Sequence, residues 1–175
     1  EERCLSVFPS TENLSSKNLK ENLVRTLIFL WCYQNSFTYL DASKIEYFIG
    51  DILNEVLSGK NWKIWASLND YISVFAEIAP ETYLRLLQIQ IIEHKAEIRA
   101  LFDNEGDGVF SSSLLSGILW GLEKLSFYEK YFPTSVHILA LLHQYDQGGK
   151  FANRPFNSLH ELFLPWIKQT QVSNE

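Results

Sequence analysis

The sequence predicts an all-α fold of about seven helices, and three observations support this. Apolar residues recur at three- and four-residue steps along almost the whole chain. Capping residues, prolines and glycines separate these periodic segments by short turns, and no segment alternates apolar and polar residues as a strand does. Helices joined by short turns pack antiparallel, so we expect antiparallel helix pairs, as in α-solenoids of the HEAT or TPR type. No regular period of about 34 residues identifies one repeat type.

The first two predicted helices lie near the start of the chain. The first is marked by leucines at helical spacing: Leu19, Leu23, Leu27 and Leu30. Asp41 and Ser43 offer caps for the second helix, and Ser43 with Glu46 forms a capping box. The second helix should end at Ser58-Gly59, because glycine adopts the left-handed conformation common at helix ends. Its predicted buried face is Ile45, Phe48, Ile49, Ile52, Leu53 and Val56.

Two longer helices are predicted to follow. The apolar face of the third is Trp65, Leu68, Ile72, Phe75 and Ala79. Pro80 suits the first turn of the fourth helix, which should run to about Phe102. The apolar face of the fourth is Leu84, Leu87, Ile91, Ile98 and Leu101.

Three further helices complete the predicted fold. The fifth carries Leu115, Ile118, Leu119, Leu122 and Leu125. The sixth starts at Pro133, stops at the glycine pair that begins with Gly148, and carries Val136, Leu139, Leu142 and Tyr145. The seventh is capped by Asn157 or Ser158, is closed by Pro165, and carries Leu159, Leu162 and Phe163. Ser158 and Glu161 again have capping-box spacing.

Composition bounds the class of protein. The chain has 175 residues, enough for one domain with a sizeable core, so residues 1–175 are predicted to form a single helical repeat-like domain. With 46% hydrophobic and 21% charged residues, the chain is too apolar to be disordered. The net charge is −6 and there is no run of Lys or Arg. Nucleic acid is therefore excluded as a main partner, since phosphate binding needs a focused positive field.

Cysteine usage and hydropathy indicate a cytoplasmic protein. Cys4 and Cys32 are far apart and have no His or Cys at ligand spacing, so we expect reduced thiols, with Cys32 in the core and Cys4 exposed. No segment approaches the roughly 20 apolar residues of a membrane span, and no signal sequence opens the chain. No membrane partner is expected. The chain begins at Glu1 and contains no Met, so we expect it to be part of a longer protein.

The stretch DNEGDGVFSSSLL resembles the start of a calcium-binding loop. The positions that match an EF-hand are Asp103, Glu105, Asp107, Gly108 and Ser111. Position 12, which requires a bidentate Glu, is Leu114. Acidic residues and glycines also keep a helix-helix connection solvated. We therefore predict a loop without a metal or cofactor, and a calcium site built on Asp103, Glu105 and Asp107 is kept as the alternative.

The block GGKFANRP before the last helix suggests a site for an anion. Lys150, Asn153 and Arg154 are the candidate ligand-binding residues, because cations and amide groups lie just before a helix start. The block lacks the spacing of a P-loop. The alternative is structural: the guanidinium of Arg154 ties the loop to Asp146 or Glu161.

Catalytic constellations are sparse, and we predict that the chain is not an enzyme. His94 lies on the apolar seam of its helix, where a hydrogen-bonded histidine is favoured over a base because no nucleophile is identifiable beside it. His137 and His143 lack metal-ligand spacing, and His160 has no partner histidine. An all-α enzyme using His94 with a carboxylate remains the alternative. The carboxylates of Glu77, Glu81, Glu93 and Glu97 are interpreted as one solvated face.

A resemblance is carried by blocks spread over nearly the whole chain: WKIWASL, AEIAPETYLRLL, LLSGILWGLEKLSF and DQGGKFANRPFNSLHELFLPWIKQT. Together they resemble a helical segment of very large bacterial proteins that join an NTP-binding or effector module to a long helical array, similar to signalling ATPases of antiphage defence. The chain departs from that pattern at Leu125-Ser126-Phe127, where LAW is usual, and at Asp146-Gln147-Gly148-Gly149, where DPGG is usual. The resemblance implies a scaffold or sensor role.

The predicted function is therefore that of a non-catalytic helical scaffold or recognition segment. Its partners are other segments of the same larger protein, or another protein. An excised piece of an array exposes apolar surface at both ends, which we place on the helix from Leu19 to Trp31 and on Phe163 and Trp166. A helical sensor, for calcium at the Asp103 loop or for an anion near Arg154, is the alternative.

Overall fold

The computed structural model describes residues 11–36, 42–104, 113–149 and 151–164. These residues contain helices and turns and no strand, which confirms the predicted all-α class. The α-helices of the described ranges are α1 (Thr11–Cys32), α2 (Ala42–Leu57), α3 (Trp62–Ser67), α4 (Asn69–Ile78), α5 (Pro80–Glu93), α6 (Lys95–Asp103), α7 (Ser116–Leu125), α8 (Phe132–His143) and α9 (Pro155–Leu162). A 3₁₀ helix, Gln34–Ser36, follows α1. Within the described ranges, no helix combines the length and apolarity that a bilayer crossing requires.

The chain divides into two compact units, Glu1–Ile45 and Glu46–Glu175. The first contains α1 and the 3₁₀ helix, and the second contains nearly all of α2 and the seven helices that follow. In the first unit, Cys32 is exposed, so the prediction of a core thiol is wrong. The helical turn explains this: Val24 is buried, and a residue eight positions later lies about 80° away around the helix.

Two helices predicted as continuous are each interrupted at one residue. The third is divided at Leu68, whose N–H is shared between the carbonyls of Ile64 and Trp65 at 3.2 Å each. The fourth is divided at His94, whose backbone (φ −117°, ψ 47°) leaves the helical region. Leu68 and Ile98 are nevertheless buried, because a one-residue break hardly changes which side of the segment faces the core. Apolar periodicity therefore continues across both breaks and does not reveal them.

Helices α2, α5 and α8 lie side by side in the second unit and run parallel. Between α2 and α5, Arg85 donates to Asn54 Oδ1 at 3.0 Å, and Gln90 donates to the Leu57 carbonyl at 3.0 Å. Between α5 and the ends of α8, Tyr131 donates to Glu81 at 2.8 Å, and Tyr145 donates to the Ile91 carbonyl at 3.3 Å. In both pairs the residue numbers rise together. The direction of the neighbouring helices is therefore the same.

Helices α4 and α7 form a second parallel pair, and it is tightly packed. The Gly117 N–H donates to Asn69 Oδ1 at 2.8 Å, and near the other ends of these helices Lys124 pairs with Glu77. A Cβ on Gly117 would lie 1.8 Å from the Asn69 carbonyl oxygen. A Cβ on Gly121 would lie 3.0 Å from the Cβ of Ala76 on α4 and 2.8 Å from the Tyr83 hydroxyl of α5. The two glycines, one helical turn apart, therefore let the backbones approach more closely than any side chain would allow.

Tyr83 connects α5 to α7 through the centre of the core. Its side chain is completely buried, and its hydroxyl donates to the Ile118 carbonyl at 2.8 Å. Burial raises the pKa of the Tyr83 phenol well above its ordinary value. The phenol thus stays neutral and keeps the hydrogen bond that a buried polar group requires.

The predicted face of α2 is only partly buried. Ile45, Ile49 and Leu53 are buried at four-residue steps, but Phe48 is 53% exposed and Val56 is 39% exposed. The prediction that Phe48 faces the core is wrong because Phe48 lies about 100° around the helix from Ile49. Its exposed ring belongs instead to the outer side of α2.

Candidate functional site

The loop from Asp146 to Arg154, which connects α8 to α9, contains the predicted ligand-binding residues. Arg154 lies in extended backbone (φ −131°, ψ 151°) directly before Pro155, the first residue of α9. The predicted start of this helix at Asn157 or Ser158 is therefore wrong, because Pro155 already has the fixed φ that suits a first turn. Arg154 Nη1 lies 3.2 Å from Asp146 Oδ1, and the two side chains are 8% and 6% exposed. The predicted pairing with Asp146 is thus observed.

The backbone conformation around this ion pair explains why positions 148 and 149 are glycines. Asp146 Oδ1 also accepts a hydrogen bond from the Gly148 N–H at 2.9 Å. Gly148 has a φ of +81°, in the left-handed region that favours glycine. A Cβ on Gly149 would lie 1.7 Å from Arg154 Nη2, so the guanidinium packs directly on this glycine. The glycine pair therefore accommodates the Arg154–Asp146 pair.

Of the other two candidate residues of the loop, the structure describes only Asn153. Lys150 lies outside the described residues. Asn153 does not cap α9, and its buried Nδ2 has no hydrogen-bond partner in the structure. The loop is closed onto α9 by Ser158, whose hydroxyl donates to the Arg154 carbonyl at 3.3 Å. Because the guanidinium of Arg154 is buried and faces Asp146, an incoming anion has to displace a carboxylate. This geometry indicates a structural role for Arg154.

A partly buried carboxylate, that of Glu123, lies next to the loop that holds the Arg154–Asp146 pair. Burial raises the pKa of Glu123, on α7, above its ordinary value. A hydrogen bond with the Ser158 hydroxyl lowers the pKa of Glu123, and the neighbouring carboxylate of Glu161 raises it. Glu161, predicted as a possible partner of Arg154, therefore faces Glu123. Glu123 could not be predicted from the sequence, because an isolated Glu on an amphipathic helix gives no sign of its burial.

The predicted calcium site can be placed only in part. Asp103 is the last residue of α6 and is exposed, whereas Glu105 and Asp107 lie outside the described residues. Among the described residues, no group of three or more His, Cys, Asp or Glu side chains is arranged to hold a metal ion. The calcium alternative stays a sequence prediction.

His94 belongs to a polar network at the junction of α2, α3, α5 and α6. Its Nδ1 lies 3.1 Å from Gln90 Oε1, in agreement with a hydrogen-bonded histidine. Gln90, 1% exposed, donates from Nε2 to the carbonyls of Leu57 at 3.0 Å and Gly59 at 3.2 Å. Trp65 Nε1 donates to the same Leu57 carbonyl at 3.2 Å. The network satisfies the carbonyl of Leu57, which ends α2 and has no partner within the helix, and the carbonyl of Gly59 just after it.

The four carboxylates interpreted as one solvated face lie on α4, α5 and α6, and three of them have partners. Glu77 pairs with Lys124, and Glu97 accepts the Trp62 N–H at 2.8 Å. Glu81 accepts from Lys130 and from the Tyr131 hydroxyl. Burial would raise the pKa of Glu81, but the hydrogen bonds from Lys130 and Tyr131 lower it overall. Glu77, Glu81 and Glu93 are exposed, in agreement with the interpretation as solvated carboxylates, whereas Glu97 is half-buried.

The apolar surface predicted at the two ends of the helical segment is exposed at those residues that the structure describes. In the first helix, Leu19 and Leu23 are 63% and 59% exposed, and after the last helix Phe163 is 64% exposed. Trp166 lies outside the described residues. Tyr47 on α2 and Phe156 on α9 are among the exposed aromatic residues that were not predicted. Their signal was present in the helical spacing, since each lies opposite the buried side of its helix.

No protein-family model matches the chain, and no curated protein or solved structure is significantly similar to it. The function is therefore inferred from the packing and the surface of the chain itself.

Proposed function

We propose that this chain is a non-catalytic scaffold or recognition segment, built from stacked helical hairpins like an α-solenoid, within a larger cytoplasmic protein. The observation that carries the proposal is the parallel order of equivalent helices. Helix α2 neighbours α5 and α5 neighbours α8 in one layer, while α4 neighbours α7 in the other. Stacked antiparallel hairpins produce this order, since every first helix points one way and every second helix points the other.

The two central hairpins also share their construction. One consists of α3–α4 followed by α5–α6, and the other consists of α7 followed by α8. Helices α4 and α7 have 10 residues each, and α5 and α8 both carry a proline in the first turn. Helix α9 then packs on both α7 and α8, as the first helix of a third hairpin does. This repetition supports a stack whose contacts are made between neighbours.

The surface supports an interaction role. Large apolar side chains are exposed on the first described helix, at Leu19 and Leu23, and on or directly after the last one, at Phe156 and Phe163. Exposed apolar surface of this kind marks a site where another helix or protein docks. The buried charges of Arg154 and Asp146 are paired with each other, so each compensates the other and neither is left to bind a ligand.

The wider setting comes from the resemblance alone. In a bacterial defence protein, such a helical array is joined to an NTP-binding or effector module. The module carries out the chemistry, and the array recognises partners through its surfaces. In that setting the partners of this segment are the neighbouring hairpins of the same polypeptide or a protein ligand.

The test is to detect the polypeptide in the cells that encode it. An antibody raised against the 175-residue chain should recognise a band much larger than the 20.3 kDa of the chain itself. Peptide mapping of the immunopurified band should then find an NTP-binding or effector module in the same polypeptide. A band near 20 kDa would reject the proposal.

A further inference from the structure

Trp120 is an exposed tryptophan on a helix that is otherwise largely buried. Six of the ten residues of α7 are buried, whereas Trp120 is 52% exposed. Around α7, Gly117 contacts Asn69 of α4, and Glu123 faces α9. Trp120 is three residues from each of these two positions, so it lies about 60° from each around the helix axis. Its indole ring is therefore on the outer surface of α7, with α4 on one side and α9 on the other.

Carboxylates of α4 flank this tryptophan on one side. In the parallel pair α4 and α7, Lys124 pairs with Glu77. Trp120 lies one helical turn before Lys124, so it is level with the turn of α4 that precedes Glu77. Asp70, in the first turn of α4, is seven residues before Glu77; both are exposed and they share one side of the helix. Lys124 compensates the charge of Glu77, and Asp70 adds a negative charge on this side of Trp120.

Two further carboxylates lie on the other side of Trp120. Glu123, three residues after Trp120, is half-buried, and Glu161 of α9 is exposed. Burial and the negative charge of Glu161 both raise the pKa of Glu123, so the two carboxylates are close enough to repel each other. A cation placed beside both of them offsets this repulsion. We call Asp70, Trp120, Glu123 and Glu161 the tryptophan-carboxylate face.

The chemistry of the tryptophan-carboxylate face is complementary to a guanidinium group. Among side chains, the indole ring attracts cations most strongly, and the planar guanidinium of arginine stacks on aromatic rings. Carboxylates beside the ring accept the N–H groups of the same guanidinium. Nucleic acids and anionic lipids carry the same sign of charge as this face and are repelled by it. Tryptophan and arginine are also the residues that most often dominate the binding energy of protein interfaces. The complementary ligand is therefore an arginine of another protein.

We propose that the tryptophan-carboxylate face binds an arginine-bearing segment of a partner protein. One guanidinium stacks on Trp120 and pairs with the carboxylates of Glu123 and Glu161, and a further basic residue of the segment lies toward Asp70. This inference names the partner chemistry for the recognition role of the proposed function, and it rests on that function. Helical arrays bind their partners along extended surfaces made by successive repeats, and this face crosses α4, α7 and α9. Because charge contributes to the contact, binding weakens as the salt concentration rises.

Fluorescence anisotropy of a labelled synthetic peptide tests this binding with the full chain. The probe is a helical alanine-based peptide with arginine at every fourth position, and a second peptide has lysine in place of each arginine. The wild-type chain should bind the arginine peptide more tightly than the lysine peptide at physiological ionic strength, because guanidinium stacks on indole better than ammonium does. Trp120→Ser should weaken binding of the arginine peptide about tenfold and remove the preference for arginine. Glu123→Gln with Glu161→Gln should also weaken it about tenfold.

Two control variants make the same changes outside the tryptophan-carboxylate face. Tyr47→Ser removes an exposed aromatic ring of α2, and Asp51→Asn with Glu55→Gln removes two exposed carboxylates of the same helix. Both should bind the arginine peptide like the wild type, and circular dichroism melts confirm that every variant is folded.

Equal losses in the control and face variants would mean that the peptide responds only to the net charge of the chain, which overturns the inference. Absence of binding to the wild type, or equal binding of both peptides, also overturns it. Such a result, together with a large polypeptide in the immunoblot, rejects the arginine-binding face alone. A band near 20 kDa together with the expected peptide binding rejects the proposed function alone.

Discussion

The carboxylate of Asp146 lies 3.2 Å from the guanidinium of Arg154, and both side chains are almost fully buried. Each charge is therefore acceptable in the interior only because the other is present. Removing one partner leaves an uncompensated buried charge, which is usually more costly than removing both. The stability of variants of this pair therefore distinguishes a structural role of Arg154 from a role in ligand binding.

Arg154→Met should lower the free energy of unfolding by about 3 kcal/mol, because it leaves the Asp146 carboxylate buried without its cation. Urea denaturation measures the change. The double variant Arg154→Met with Asp146→Leu should recover part of the loss. Arg85→Met, at an exposed arginine that contacts Asn54, is the control and should cost less than about 1 kcal/mol. An Arg154→Met chain as stable as the wild type would contradict the structural role and revive the anion site.

Gly117→Ala should destabilise the chain by about 3 kcal/mol or more, because the new Cβ meets the Asn69 carbonyl oxygen and forces α4 and α7 apart. Gly59→Ala is the matched control: a Cβ there has nothing within 4 Å. We expect it to change stability by less than about 0.5 kcal/mol. Thermal melts followed by circular dichroism compare the two variants. Equal melting temperatures for both would show that the α4–α7 contact is looser than described.

Glu123→Gln should stabilise the chain at neutral pH. Burial raises the pKa of Glu123, so the folded state holds this proton to higher pH than the unfolded state does. Stability from this group is therefore greatest below the ordinary carboxyl pKa and is lost as pH rises through the raised value. Urea denaturation at about pH 4 and pH 7 should show a larger benefit of Gln at pH 7. Glu129→Gln, at an exposed carboxylate, is the control and should change the free energy of unfolding by less than about 0.5 kcal/mol.

Calcium should leave the melting temperature unchanged at millimolar concentration, because the loop that begins at Asp103 has Leu114 where a bidentate Glu is required. Differential scanning fluorimetry with and without a chelator measures this, and magnesium serves as the ionic-strength control. A calcium-specific rise of several degrees that Asp103→Ala abolishes would establish the sensor alternative.

Apolar periodicity predicted the helices well because burial in this chain follows helical spacing. Ile118, Leu119, Leu122 and Leu125 are all buried on α7, as their spacing indicates. The breaks at Leu68 and His94 could not be predicted in this way, since one non-helical residue leaves the apolar pattern nearly continuous. Pro155 was a missed signal, because it marks the start of α9 as Pro80 marks the start of α5.

The polar contacts were predictable only where local sequence constrains them. Asp146 and Arg154 flank one short glycine-containing loop, so their pairing could be proposed from sequence. Glu123 and Glu161 come from different helices, and their proximity depends on how α9 packs on α7. The spacing of Gly117 and Gly121 did carry information: glycines one turn apart on a helix favour close packing of two backbones. Their partners, Asn69 for Gly117 and Ala76 and Tyr83 for Gly121, are tertiary contacts that spacing cannot identify.

The Gln90 network determines which ring nitrogen of His94 carries hydrogen. Both carbonyls near Gln90 Nε2 accept its amide hydrogens, so Gln90 Oε1 is left as an acceptor and His94 Nδ1 must be the donor. His94 is thus held as the Nδ1–H tautomer. The hydrogen bond at the junction between α5 and α6 therefore has a fixed direction, from the His94 ring to the Gln90 amide oxygen. Gln90 in turn joins that ring to the end of α2, so one side chain connects three helices.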